Sequence, residues 1–144
     1  MAARTRQRTA PNPHPDPQPD PQPNPDSAAS TRRSPCPVAC ALDLVGDRWT
    51  LLVVRDLFFG RTRFRDFAAS PERIPTNILS ERLERLVAHG VAERVPADDG
   101  SARQGYRLTR KGKALLPILE AMKSWGLKWE PGTKAMRAGG VGGG

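Results

Sequence analysis

Leu79, Leu83 and Leu86 recur at steps of four and three, while Asn77, Ser80, Glu81 and Glu84 fall on the other side. That period predicts a half-polar helix over about 75–89. Gly90 stops it, and a short valine-bearing strand begins at once. Upstream, Cys36 suits an N-cap and Pro37 a first helical position, where its missing N–H is harmless. Val38, Ala41, Leu42 and Val45 give that helix an apolar side, and Gly46 closes it. A second helix is expected from the cap Asp47 to the stop Gly60. Trp49, Leu52, Val53 and the run Leu57 to Phe59 make it the most buried element predicted.

Between these helices, "RTRF" (61–64) alternates polar and apolar and reads as a very short strand. "RDFAAS" reads as a short helix, and the proline-bracketed "PERIP" as a turn. "VAERV" and "YRLT" read as two strands of a hairpin with a polar tip, "PADDGSARQG". Thr109 can cap a last helix running to about Trp129, with Ile118, Met122, Trp125 and Trp129 on a 4-3-4 stripe. Pro117 should kink this helix or mark its true start. Leu115, Leu116, Leu119 and Leu127 add apolar surface beyond one stripe, more than a small core hides. A seam with a second copy of the chain accounts for the excess.

A short helix, a turn, a half-polar helix and a hairpin describe a winged helix-turn-helix. The expected fold class is therefore mainly α with a small β-hairpin. The leucine side of helix 75–89 would pack on the core, and its polar side would be free to enter a DNA major groove.

Composition sharpens this reading. The chain has 144 residues with fifteen prolines and thirteen glycines, concentrated towards its ends. Residues 1–35, containing "PNPHPDPQPDPQPNP", are expected to be a disordered proline-rich tail, and 133–144 a flexible glycine-rich one. Residues 36–132 form the expected domain. The start lacks the apolar stretch of a secretory signal, and "LLVV" is far too short to span a bilayer, so a cytoplasmic protein without membrane attachment is expected. Net charge is +8, and 18 Lys and Arg against 12 Asp and Glu follow residue 35. A small basic domain suits a polyanion, although solubility alone also explains such a balance.

Catalysis finds little support. His14 lies in the proline tract and His89 at a helix end, where carbonyls are its natural partners. Cys36 and Cys40 supply two ligands without a second cluster, too few for zinc. Neither an enzyme, a metal nor a cofactor is expected.

The segments "CPVACALDLVGDRWTLLVVRDLFFGRTRFRDF", "IPTNILSERLERLVAHGVAER", "YRLTRKG" and "LLPILEAMKSWGLKW" together resemble HxlR-type bacterial transcriptional regulators. The resemblance covers about 36–130. It implies a homodimer held by the first and last helices, with a reading helix and a wing. The interface would then include Val38, Leu42, Ile118, Met122, Trp125 and Trp129. The partner would be a double-stranded, pseudo-palindromic operator.

On the reading helix, Thr76, Asn77, Ser80 and Glu81 are the candidate DNA contacts. Asn pairs bidentately with adenine, Ser donates generally and Glu accepts from cytosine. The competing reading is a solvated face with an ordinary Glu81–Arg85 pair. Arg82, at the edge of that face, suits a phosphate. Arg61, Arg63 and Arg65 alternate beside it, and Arg63 lies inside a matched motif, which favours it for phosphate binding. Arg103 near the wing tip is a further candidate, opposed by Asp98 and Asp99. Cys36 is the candidate redox sensor, because a helix N-cap and the upstream Arg32 and Arg33 favour a reactive thiol. Some HxlR-type regulators sense oxidants or electrophiles at the matching cysteine. The competing role is packing. Three alternatives stand beside this reading: a MarR-like small-molecule-responsive regulator, a basic RNA-binding or ribosome-associated protein, and a winged helix used only for protein docking. The inducer, the operator sequence and the sign of regulation are not legible.

Overall fold

The computed structural model describes residues 32–96 and 103–137. The expected tails before 32 and after 137, and the wing-tip Asp98 and Asp99, lie outside the described residues. Compact structure from Cys36 onward is one unit, distinct from Met1–Pro35.

Helix α1 (Pro37–Val45) has Cys36 at its N-cap, Pro37 in its first turn and Gly46 at its C-cap. Helix α2 (Thr50–Phe58) is set by Asp47. One carboxylate oxygen accepts the Trp49 and Thr50 N–H groups at 2.9 and 3.1 Å, and the other takes the Thr50 hydroxyl. Gly60 ends the turn after α2 at φ 80°, and Gly90 does the same at φ 69° after the helix that ends at Ala88, both in the left-handed region glycine tolerates.

Helices α3 (Phe64–Ala68) and α4 (Thr76–Ala88) form the helix-turn-helix. Strands β1 (Ala92–Pro96) and β2 (Gln104–Leu108) pair antiparallel, from Ala92 opposite Leu108 to Pro96 opposite Gln104. Helix α5 (Arg110–Lys113) follows with Thr109 as its cap, and α6 (Leu116–Trp129) ends the fold. Val53, Val54, Phe67, Leu79, Leu83 and Leu86 are fully buried and form the centre of the core, with Ile74, Val91 and Leu108 around them. Phe67 meets the Tyr106 ring edge-on at 6.5 Å, so α3 carries the wing. Gly112 lies so close to the Val91 carbonyl that a Cβ there would stand 2.1 Å from its oxygen; only glycine lets α5 dock.

Two expectations are corrected. "RTRF" is not a strand. The Tyr106 N–H donates to the Thr62 carbonyl at 2.8 Å, but the chain then curls into α3 because the Asp66 carboxylate accepts the Arg63 N–H at 3.1 Å. The alternation is broken as well, since Arg61 turns inward to Asp56. The last helix is not continuous from Thr109. It breaks at Ala114–Leu115, and Pro117, in the first turn of α6, marks that helix's true start, the second of the two outcomes expected of it.

A polar network crosses the core. Asp56 is fully buried, and its two oxygens take Arg55 at 2.8 Å and Arg61 at 2.9 Å. Arg55 continues bidentately onto Glu72 at 2.7 and 2.9 Å, and Glu72 also accepts the Ser70 hydroxyl at 2.7 Å. The hydrogen bonds from Arg55 outweigh partial burial and hold the Glu72 carboxyl at about 2, from an ordinary 4.5. The same bonds raise Arg55 further above its ordinary range. Glu72 therefore contributes stability in full above pH 4.5 and loses it as pH falls towards about 2. Glu72→Gln is expected to lower the melting temperature at neutral pH, with the gap to wild type closing through that acid window. Asp56→Ala leaves two guanidinium groups facing a vacated site and is expected to cost about 3–5 kcal/mol, measured by denaturant unfolding.

Candidate nucleic-acid interface

Helix α4 divides cleanly. Leu79, Leu83 and Leu86 are at 0% exposure, whereas Thr76, Asn77, Ser80 and Glu81 are all exposed. The first turn of α4 thus presents hydroxyl, amide and carboxylate groups to solvent, together with backbone N–H groups that lack intrahelical partners. Pro75 precedes it, and the turn before Pro75 is anchored through Glu72 and Ser70 to α2. Arg73 in this turn has φ 52°, a left-handed conformation costing on the order of 1 kcal/mol for a non-glycine residue. The network beside it holds the turn in that shape.

Around this face the arginines fall into two groups. Arg63 is half-buried at the N-cap of α3, and Arg65, Arg94, Arg103 and Arg107 are exposed. Arg107 pairs with Glu93 across the wing. Arg61 is drawn into the core by Asp56 and does not line up with Arg63 and Arg65, which corrects the alternating array. Arg82 also departs from expectation. Its Nε donates to Asp47 at 2.9 Å and its Nη1 to Glu81 at 2.7 Å, so a phosphate there would compete with two carboxylates. Glu81 therefore pairs with Arg82, while Arg85 donates to the Asp43 carbonyl, in place of the Glu81–Arg85 pair of the competing reading.

Away from this face lies a bare apolar surface. No residue of α6 is buried. Trp125 and Trp129 are each 59% exposed, Met122 54% and Ile118 41%; on α1, Val38 is 64% and Leu42 54% exposed. The helices flank a groove of about 650 Å³ lined by Val38, Leu42, Val45, Leu51, Ile118 and Met122. Cys36, at the N-cap of α1, is exposed, and Cys40 is half-buried. Among the described residues, no group of three or more His, Cys, Asp or Glu could hold a metal ion, and no helix is long and apolar enough to cross a membrane.

Sequence reasoning missed both polar linkages, Asp56 with Arg55 and Arg61, and Asp47 with Arg82. A signal existed for the first: Asp56 follows Val53 by three positions, on the stripe that α2 buries.

Helix-turn-helix, paired wing and terminal helix in this order define a winged-helix transcription regulator. The HxlR-like helix-turn-helix family model matches residues 44–134. An uncharacterized HTH-type transcriptional regulator of Mycobacterium tuberculosis is 43% identical over 94 residues, 65% of this chain and 59% of that protein. This chain thus spans about three-fifths of that relative's length. The solved structure of PA1607, described as a candidate transcription factor, superposes with a TM-score of 0.66 at 47% identity, covering 75% of this chain and 76% of that one. The reduced form of the transcriptional regulator YodB from Bacillus subtilis does so with a TM-score of 0.57 at 32% identity, covering 68% and 98%. YodB has also been solved diamide-treated and quinone-bound. The chain belongs to the HxlR-like helix-turn-helix family.

Proposed function

We propose that the protein is a sequence-specific, double-stranded-DNA-binding regulator that acts as a homodimer on a pseudo-palindromic operator. The observation that carries this reading is the split of α4, with leucines fully buried and Thr76, Asn77, Ser80 and Glu81 exposed beside a paired wing. In this reading α4 enters the major groove, Asn77 and Ser80 address base edges, and Arg63 and Arg103 address phosphates. The wing lies over the neighbouring backbone. Two copies meet through α1 and α6, which covers the exposed tryptophans and sets two reading helices about one helical turn apart. Residues 36–132 suffice for this activity, and the flanking tails do not take part. The protein works without cofactor or metal and catalyses no reaction. A cytoplasmic location follows from a DNA partner in a bacterial-type regulator.

Binding selection from a random duplex pool tests the base contacts. Asn77→Ala is expected to cost about 1–3 kcal/mol and to relax preference at one base pair per half-site. Arg63→Ala is expected to weaken all duplexes alike and to reduce the salt slope by about one. An unchanged selected sequence with Asn77→Ala would remove that residue from the reading role.

Sedimentation tests the seam. Wild-type chain is expected to be dimeric at micromolar concentration, and Trp125→Lys monomeric with operator binding lost. A monomeric wild type contradicts the dimer.

The exposure of Cys36 at the N-cap of α1 supports a thiol switch on the same dimer. The solved states of YodB give that relative a chemistry of diamide and quinones, and the same reagents are the probes to use here. Cys36→Ser is expected to bind operator as wild type does but to hold it in the presence of diamide, whereas Cys40→Ser still lets go. Equal release by wild type and Cys36→Ser in a fluorescence-anisotropy titration would exclude Cys36 as the sensor.

A further inference from the structure

The corner between α1 and α2 is tied to the reading helix by two arginines from α4, and the same corner borders the apolar groove. Asp47 uses one carboxylate to do two jobs. It caps α2 through the Trp49 and Thr50 N–H groups and the Thr50 hydroxyl, and it accepts Arg82 Nε at 2.9 Å. Thr50 is fully buried, so the cap is fixed to the core. One turn further along α4, Arg85 donates to the Asp43 carbonyl near the end of α1. On its other side, the corner residues Gly46, Asp47 and Arg48 line the groove with Val38 and Met122.

We propose that Asp47 and Arg82 form a coupling pair that fixes the angle of the reading helix against the α1–α2 corner, so that the seam between copies and the helix that reads DNA move as one body. Arg82 is thus a positioning residue, acting through Asp47 rather than on DNA. The proposal rests on the dimeric DNA-binding reading above. Its physical basis is that each tie joins segments distant in sequence, whereas leucine packing alone leaves a helix free to rock about its buried stripe. Partial burial works to raise the Asp47 carboxyl, but the hydrogen bonds from Thr50, Arg82 and Trp49 outweigh it and hold the group well below the usual carboxylate range. The pair therefore stays ionic wherever the protein is folded near neutrality. Arg82 keeps only 15% of its side chain exposed, which suits a strut better than a phosphate contact.

The test uses the full chain with a bio-orthogonal spin label in place of exposed Glu84 on α4, and reads the distance between labels in the dimer by pulsed electron resonance. Wild type is expected to give one narrow distribution. Arg82→Gln and Asp47→Asn are expected to broaden it severalfold while sedimentation still shows a dimer, and Arg82→Lys to recover part of the sharpness. On duplexes of varied half-site spacing, the same two variants are expected to lose the preference for one spacing. An unchanged distribution in both variants overturns the coupling. So does a uniform loss of affinity at every spacing with Arg82→Gln while Asp47→Asn behaves as wild type, which makes Arg82 a phosphate contact. A monomer in sedimentation overturns the seam and the coupling with it. A dimer that prefers no duplex overturns the DNA reading alone, because the distance measurement still decides the coupling.

Discussion

The helix-turn-helix outside the leucine core depends on how one buried carboxylate is satisfied. Asp56 has no access to water, and its two oxygens are taken by Arg55 and Arg61. Removing such a charge from water costs several kcal/mol, and pairing it roughly offsets that cost, so the group adds little net stability. Its effect is geometric. Arg61 draws the chain leaving α2 inward, which stops it from running on as a strand and delivers Arg63 to the cap of α3. Arg55 carries the linkage to Glu72 and Ser70, in the turn that separates the two helices of the helix-turn-helix. That turn holds Arg73 in a left-handed conformation, and only a rigid surround keeps it there.

The second constraint is one of surface. Leu79, Leu83, Leu86 and the valines of α2 already fill the interior, so α6 touches the core through the partly buried Leu119 and buries none of its residues fully. Six large apolar side chains on α6 and two on α1 remain exposed, and Ile118 and Met122 line a groove with Val38 and Leu42. Water exposure on that scale is unfavourable, at about 25 cal/mol per Å² of apolar area. A second copy offering the same two helices is self-complementary to it, as a two-fold interface requires. The polar face of α4 and the exposed apolar surface of α1 and α6 thus occupy different parts of the fold, and Asp47 lies between them, bonded to Arg82 and lining the groove.

The 3.6-residue pattern of Leu79, Leu83 and Leu86 was enough to place α4, and turn chemistry at Gly90 was enough to start the wing, because each depends only on neighbours in sequence. The alternating "RTRF" misled for the opposite reason: its conformation is set by Asp56 and Asp66, through bonds that local pattern does not encode. Thr109 to Trp129 carried a continuous helical pattern, but Pro117 marked the start of α6, a local signal, whereas the close docking of Gly112 on the Val91 carbonyl is a contact between distant segments that pattern does not encode. For the site, the polar identity of Thr76, Asn77 and Ser80 was legible as a face. The inward engagement of Arg61 and Arg82 was not, since an arginine at a surface-like position reads the same whether it meets solvent or a carboxylate many residues away.

The claim that joins these parts is that two copies present two α4 helices to one face of a duplex. Hydroxyl-radical footprinting of the full chain on a duplex it has selected measures this most directly. The account predicts two protected stretches related by two-fold symmetry, centred about 10 base pairs apart on the same face. A single protected stretch, or uniform protection without phase, would contradict it.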